Sequence, residues 1–149
     1  MTEPSRDPAL ATFKAPTLDD IETLARAAFA GLPSRFTALC EGLVIRVEDF
    51  PDDETLDEMG CESEYDLLGL FRGAGLTQRE HLAQTGDQPN LIWLYRRPII
   101  DFWADGEETL AEIVTHVLVH EIGHHFGLSD ADMECIEVEA AALRDLPPA

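Results

Sequence analysis

The feature that most constrains the fold of this chain is the segment at residues 120–130, which has the pattern HExxHxxGxxD. His120 and His124 are four residues apart, and on an α-helix this spacing places two side chains on one face, with Cβ atoms about 5 to 6 Å apart. The segment must therefore be helical if the two imidazoles are to act together. Gly127 predicts the end of that helix, after which the chain can turn and bring Asp130 towards the two histidines.

Residues that precede the motif predict the same helix. Apolar side chains recur at helical spacing, and the stripe that they form continues into His120 and His124. Asp105 is the predicted N-cap, and Glu108, three residues later, completes a capping-box pattern. The helix is therefore predicted to span residues 106–126. Its apolar positions are Leu110, Ile113, Val114, Val117 and Leu118.

Two imidazoles and a carboxylate at these spacings are typical of a metal site. His120, His124 and Asp130 are the candidate ligands of one Zn²⁺, and three protein ligands leave a fourth position for water, as in catalytic zinc sites. Glu121 is the candidate general base that takes a proton from this water. The same ligand atoms also accept Fe²⁺, Co²⁺ or Ni²⁺, so other divalent transition metals remain alternatives.

Other interpretations of these side chains stay open. Buried histidines on an apolar helical face can be held by hydrogen bonds alone, although this leaves Glu121 and Asp130 unexplained. His116 and His125 are interpreted as structural side chains or as groups that support the ligands. Cys135 is a candidate fourth ligand that would close the site and make its zinc structural. The chain would then be a non-catalytic binding or regulatory module.

Length and charge limit the classes of protein that fit. A chain of 149 residues with 45% hydrophobic side chains is typical of one globular domain. No apolar run approaches the roughly 18 residues that span a bilayer, so we expect no membrane insertion. The net charge of -20 repels phosphate backbones and argues against nucleic acid as a partner. Three cysteines without CxxC spacing, and an N-terminus without an apolar signal segment, predict a cytoplasmic protein.

The order of the predicted elements indicates a single small α+β domain, in which helices cover a short, mixed sheet. Residues 1–16 are predicted to be a flexible tail and residues 17–149 the domain. Thr17 is the predicted N-cap of a first helix at residues 18–30. The other predicted elements are strands at residues 43–47, 67–71 and 91–96, a polar, turn-rich segment at residues 77–90, and a final helix at residues 131–145.

Two segments bear on possible partners. The strand at residues 91–95 is either an exposed edge that pairs with an extended peptide or an interior strand that contributes only to the core. If it borders a cleft, the residues that could stabilise an oxyanion are Tyr95, Arg96 and Arg97. The acidic run at residues 48–66 is interpreted as a solvated loop, with recruitment of a basic peptide as the alternative.

Three blocks of the sequence resemble the small zincin-like metallopeptidases, or minimal zincins, whose members carry HExxHxxGxxD in a short single-domain chain. The blocks are residues 66–73, 94–98 and 119–129. This resemblance implies an α+β zincin fold and a metallopeptidase activity without an assigned substrate. The motif is also similar to that of metzincins, but Met133 follows Asp130 too closely to form a Met-turn.

A metal-dependent endoribonuclease is the less favoured alternative. Enzymes of the rRNA-maturation kind place three histidines at the same spacings, whereas the third position here is Asp130. The acidic charge is unfavourable for RNA binding, and a glutamate directly after the first histidine suits peptide hydrolysis better. The expected function is therefore that of a zinc-dependent peptidase that acts on peptide or protein substrates.

Overall fold

The computed structural model describes residues 8–73 and 90–144. The predicted polar segment at residues 77–90 thus lies outside the described residues, apart from Asn90. No helix in the described ranges is long and apolar enough to cross a membrane. In chain order the elements are α1 (Pro8–Thr12), α2 (Leu18–Ala30), α3 (Ser34–Thr37), a 3-10 turn (Ala38–Cys40), β1 (Val44–Glu48), α4 (Asp53–Glu58), β2 (Gly69–Arg72), β3 (Leu91–Tyr95), α5 (Arg96–Ala104), α6 (Leu110–His125) and α7 (Asp130–Arg144).

The three described strands form one mixed sheet with β3 in the centre. β1 runs parallel to β3 and β2 runs antiparallel to it, with Val44 opposite Leu91 and Gly69 opposite Leu94. Both edges of β3 are therefore occupied by neighbouring strands. The suggestion that residues 91–95 form an exposed edge for a peptide is wrong, because the backbone groups of an interior strand are already paired. The interior-strand alternative is confirmed.

Helix α6 packs on this sheet and has more buried residues than any other described helix. Gly69 on β2 permits the close approach, because a Cβ at this position would stand 2.6 Å from Val117 Cγ1 on α6. Helix α2 packs against α6 and β1 and contributes Ile21 and Ala25 to the same core. The expected α+β fold, with helices on a short mixed sheet, is confirmed.

The first predicted helix begins as expected. The Thr17 hydroxyl accepts a hydrogen bond from the Asp20 N–H at 3.0 Å, and the Asp20 carboxylate accepts one from the Thr17 N–H at 2.9 Å. This reciprocal pair is a capping box, which satisfies two N–H groups that the first helical turn leaves unpaired. The three predicted strands and the final helix also form, with ends that differ by one or two residues.

The helix that carries the metal motif starts later than predicted. Its N-cap is Thr109 rather than Asp105: the Thr109 hydroxyl accepts from the Glu112 N–H at 3.1 Å, and the Glu112 carboxylate accepts from the Thr109 N–H at 2.9 Å. The helix therefore runs from residue 110 to residue 125 instead of 106–126. Asp105 is the C-cap of α5, a helix absent from the predicted elements. Pro98 does not interrupt α5, because it lies in the first turn, where N–H groups have no helical partner.

Short helices lie in two segments that were predicted to be a loop and a tail. The run at residues 48–66 includes α4, which Asp52 caps by accepting a hydrogen bond from the Thr55 N–H at 2.8 Å. The run is therefore not a loop throughout, although no residue of α4 itself is buried. Helix α1 lies within residues 1–16, the stretch predicted to be a tail.

Candidate metal centre

His120, Glu121 and His124, the defining residues of HExxH, lie in the last two turns of α6. His120 and Glu121 are half-buried, whereas His124 is exposed. The imidazoles of His120 and His124 are neighbours, with ring centroids 5.5 Å apart and an interplanar angle of 81°. The helix thus places both rings on one side, as their spacing requires.

The helix ends where glycine was expected to end it. Gly127 has a φ of 78°, in the left-handed region that favours glycine, and the Leu128 N–H donates to the Gly123 carbonyl at 2.9 Å. The chain then turns, and α7 begins at Asp130, whose side chain is exposed. The structure brings Asp130 to the motif end of α6, but its carboxylate is not among the donor atoms that gather around His120.

Those donor atoms belong to His116, His120 and Glu137, which we call the His116 cluster. They all lie within 4.8 Å of one another, and among residues 8–73 and 90–144 no other group of three histidine, cysteine, aspartate or glutamate side chains does so. The rings of His116 and His120 are stacked, with centroids 3.9 Å apart. Glu137 on α7 spans the pair: its Oε1 lies 2.9 Å from His116 Nδ1 and its Oε2 lies 3.1 Å from His120 Nε2.

Sequence reasoning placed His116 outside the ligand set and did not consider Glu137. The four-residue spacing of His116 and His120 is a signal that could have joined them, because it equals the spacing within HExxH. No such signal exists for Glu137, which reaches the histidines only because α7 packs on α6. The predicted ligands His120, His124 and Asp130 combine imidazole nitrogen with carboxylate oxygen, and so does the His116 cluster. Both sets of donor atoms therefore fit the chemistry of zinc.

A cavity of about 340 Å³ opens beside the histidines. Helix α6 contributes His116, His120 and Glu121 to its wall, and the segment before β2 contributes the opposite side. Burial raises the pKa of the Glu121 carboxyl, while the charge of nearby His124 acts in the opposite direction. A carboxyl with a raised pKa holds a proton more readily, which is the property that a general base needs near neutral pH. The other lining residues are Asp66, Leu67, Leu68, Phe102, Glu108, Ile113 and Val117.

His125 does not line this cavity and contacts aromatic side chains. Its ring meets Phe71 edge-on with centroids 4.6 Å apart, and it also contacts Phe126. Burial lowers the pKa of His125, and its Nε2 is buried without a hydrogen-bond partner in the described part of the chain. These contacts agree with a structural role for His125.

Cys135 is exposed on α7 and does not belong to the His116 cluster. It lies on the side of α7 that faces Arg35, which forms an ion pair with Glu139. A helix rotates by about 200° over two residues, so Cys135 and Glu137 project in nearly opposite directions. The geometry therefore gives no support to a site closed by Cys135.

The suggested oxyanion groups all lie elsewhere. Tyr95 lines a separate cavity beneath α4, and the Arg96 guanidinium donates to the Pro16 carbonyl at 2.6 Å. The Arg97 guanidinium lies over the Phe50 ring, 5.6 Å from its centroid. The cavity beside His120 is lined by none of these three side chains.

Residues 40–140 match the model of a protein family described as zincin-like metallopeptidase. None of the curated proteins matches this chain. The matched residues contain all three described strands, the whole of α6 and the larger part of α7. They therefore include the HExxHxxGxxD motif and the His116 cluster. Because the match extends over more than half of the 149 residues, the chain belongs to the zincin-like metallopeptidase family.

Proposed function

We propose that this protein is a zinc-dependent peptidase in which Glu121 is the general base. The observation that carries the proposal is the position of Glu121, a half-buried carboxyl with a raised pKa, next to His120 in the wall of a cavity. Membership of the metallopeptidase family supports hydrolysis of peptide bonds as the reaction. His120, His124 and Asp130 are the proposed ligands of the ion.

The proposed roles follow from the chemistry of each side chain. When bound, the zinc ion would supply a Lewis acid that polarises the scissile carbonyl and lowers the pKa of a water molecule. His120 and His124 offer imidazole nitrogens from one side of α6, and Asp130 offers a carboxylate from the start of α7. Glu121 takes the proton of the attacking water and delivers it to the amine that leaves.

We propose a peptide or protein as the substrate and the cytoplasm as the location. The net charge of -20 favours basic substrates, because it raises their local concentration near the surface. The cavity beside His120 also has an apolar wall, formed by Leu67, Leu68 and Phe102. We therefore expect efficient cleavage next to an apolar side chain in a basic peptide.

The test of the proposed function is the substitution Glu121→Gln. The amide keeps the size of the side chain but cannot accept the proton, so we expect turnover of a fluorescent peptide library to fall by about 100-fold or more. Zinc content, measured by mass spectrometry, is expected to be unchanged. Glu134→Gln is the matched control, because Glu134 is an exposed carboxylate outside the motif and outside this cavity, and it should leave turnover unchanged. A Glu121→Gln protein that cleaves at the normal rate would exclude this role for Glu121.

A further inference from the structure

The His116 cluster shares one residue, His120, with the ligand set of the motif. The geometry points to a second use of this residue: we propose that His116, His120 and Glu137 form an alternative binding site for a divalent transition metal. Because His120 Nε2 has a single lone pair, this nitrogen can bind only one ion at a time. The proposal concerns metal binding and does not depend on peptidase activity.

Two helices hold the donor groups of the cluster in place. His116 and His120 are one turn apart on α6, and each projects from a helix whose neighbouring residues are buried. Helix α7 packs on α6 through the buried side chains of Met133, Ile136 and Ala140. Glu137 follows Ile136 at the border of this buried stripe, so the packing of α7 sets its position next to the two imidazoles.

The donor atoms have the chemistry and the separation that a transition metal requires. Two neutral imidazoles and one carboxylate are common ligands of Zn²⁺, Co²⁺ and Fe²⁺. In a tetrahedral zinc site with bonds of about 2.0 to 2.1 Å, donor atoms lie about 3.4 Å apart. The donor atoms of the cluster already lie within 4.8 Å of one another, so shifts on the order of 1 Å would complete the site.

Access from solvent is also available. The side chain of His116 is 53% exposed, while those of His120 and Glu137 are about one quarter exposed. His116 and His120 both line the cavity of about 340 Å³, through which an ion can approach. The competing account is that Glu137 only orients the two imidazoles by hydrogen bonds and never contacts an ion.

The test isolates the cluster by removing the other two ligands of the motif. In the double variant His124→Ala/Asp130→Ala, the donor group of three that the described residues still place around His120 is the His116 cluster. We expect this protein to bind one Co²⁺ per chain, detected by equilibrium dialysis and by visible d–d absorption. Addition of Glu137→Gln to the double variant is expected to weaken Co²⁺ binding at least about tenfold.

Two further variants keep the result interpretable. Glu134→Gln in the same double variant is the control, because Glu134 is an exposed acidic residue on the same helix, and it should leave Co²⁺ affinity unchanged. His116→Ala provides a second test at an exposed position, where substitution should preserve folding, and it should weaken binding as Glu137→Gln does. Circular dichroism of each variant tests whether it is folded.

The proposal fails if the folded double variant binds no Co²⁺, or if Glu137→Gln and His116→Ala leave its affinity unchanged. This failure is distinct from failure of the proposed function, which the activity of Glu121→Gln decides in a chain with all metal ligands present. Retention of Co²⁺ by the double variant, with loss on either added substitution, would establish the alternative site.

Discussion

Gly123 lies directly against Met133 where α7 packs on α6: a Cβ added to Gly123 would stand 2.5 Å from the Met133 sulfur. Both residues are buried, and Gly123 is the residue immediately before His124 in HExxH. The absence of a side chain at position 123 therefore lets α7 approach the turn that carries the histidines. Because α7 also carries Asp130 and Glu137, this contact sets the distance between both acidic candidates and α6.

Substitution of Gly123 by alanine should loosen this contact. Alanine gains about 1 kcal/mol of helix propensity, but crowding in a packed core costs about 1 to 3 kcal/mol. We expect Gly123→Ala to lower the free energy of unfolding in urea, whereas Gly106→Ala, where the nearest atom would be 3.8 Å away, should have little effect. In the double variant Gly123→Ala/Met133→Ala, the decrease in the free energy of unfolding should be smaller than the sum of the decreases in the two single variants. The smaller side chain at position 133 removes the crowding that alanine at position 123 causes. Additive losses would show that the two residues do not interact.

The N-cap of α6 gives a prediction with a built-in control. Thr109→Ala removes the capping hydroxyl and should lower the free energy of unfolding by about 1 kcal/mol. Asp105→Ala should change it by less than about 0.5 kcal/mol, because Asp105 only ends α5. Thermal and urea unfolding measure both values. The opposite order would restore Asp105 as the residue that starts the metal helix.

The raised pKa of Tyr95 leads to a prediction about the free energy of unfolding at alkaline pH. Burial and the nearby carboxylates of Glu48 and Asp52 raise the pKa of Tyr95 to about 12. An unfolded tyrosine loses its proton near pH 10, whereas the folded protein retains it, so stability should fall as the pH rises from about 10 to about 12. We expect the free energy of unfolding of Tyr95→Phe to fall less steeply over this range. Tyr65→Phe, at the exposed second tyrosine, should behave like the unmodified protein.

Thiol labelling should distinguish the three cysteines. Cys40 is fully buried, and burial raises the pKa of its thiol to about 11, so little reactive thiolate is present at neutral pH. Cys135 is exposed and Cys61 is partly exposed. We expect Ellman's reagent to titrate two thiols rapidly in the folded protein and all three in denaturant. Cys40→Ala identifies the slow thiol, and rapid reaction of all three in the folded state would contradict the described burial.

Local signals predicted the parts of the fold that depend on neighbours in sequence. The N-cap at Thr17, the helical stripe of α6 and the turn at Gly127 each arise within about four residues, where spacing and residue type decide the structure. The N-cap of the metal helix was predicted at Asp105, whereas in the structure it is Thr109. Asp105 is instead the C-cap of α5, a helix that the local pattern did not predict.

The acidic partner of the histidines could not be predicted in the same way. Glu137 is 17 residues beyond His120 and belongs to another helix, so no periodic pattern relates the two. Their contact depends on the close packing at Gly123, which is a tertiary feature. Peptidase activity and the predicted ligands His120, His124 and Asp130 stay predictions that follow from the motif.

The central position of β3 has a consequence for the order in which the sheet can form during synthesis. β1 and β2 are made first, yet in the described sheet neither pairs with the other, and both pair with β3. The backbone N–H and C=O groups of β1 and β2 therefore stay unpaired until residues 91–95 have left the ribosome. Unpaired strand edges favour aggregation during that interval. Among the described strands, β3 is thus the last to be synthesised and the one that completes the sheet.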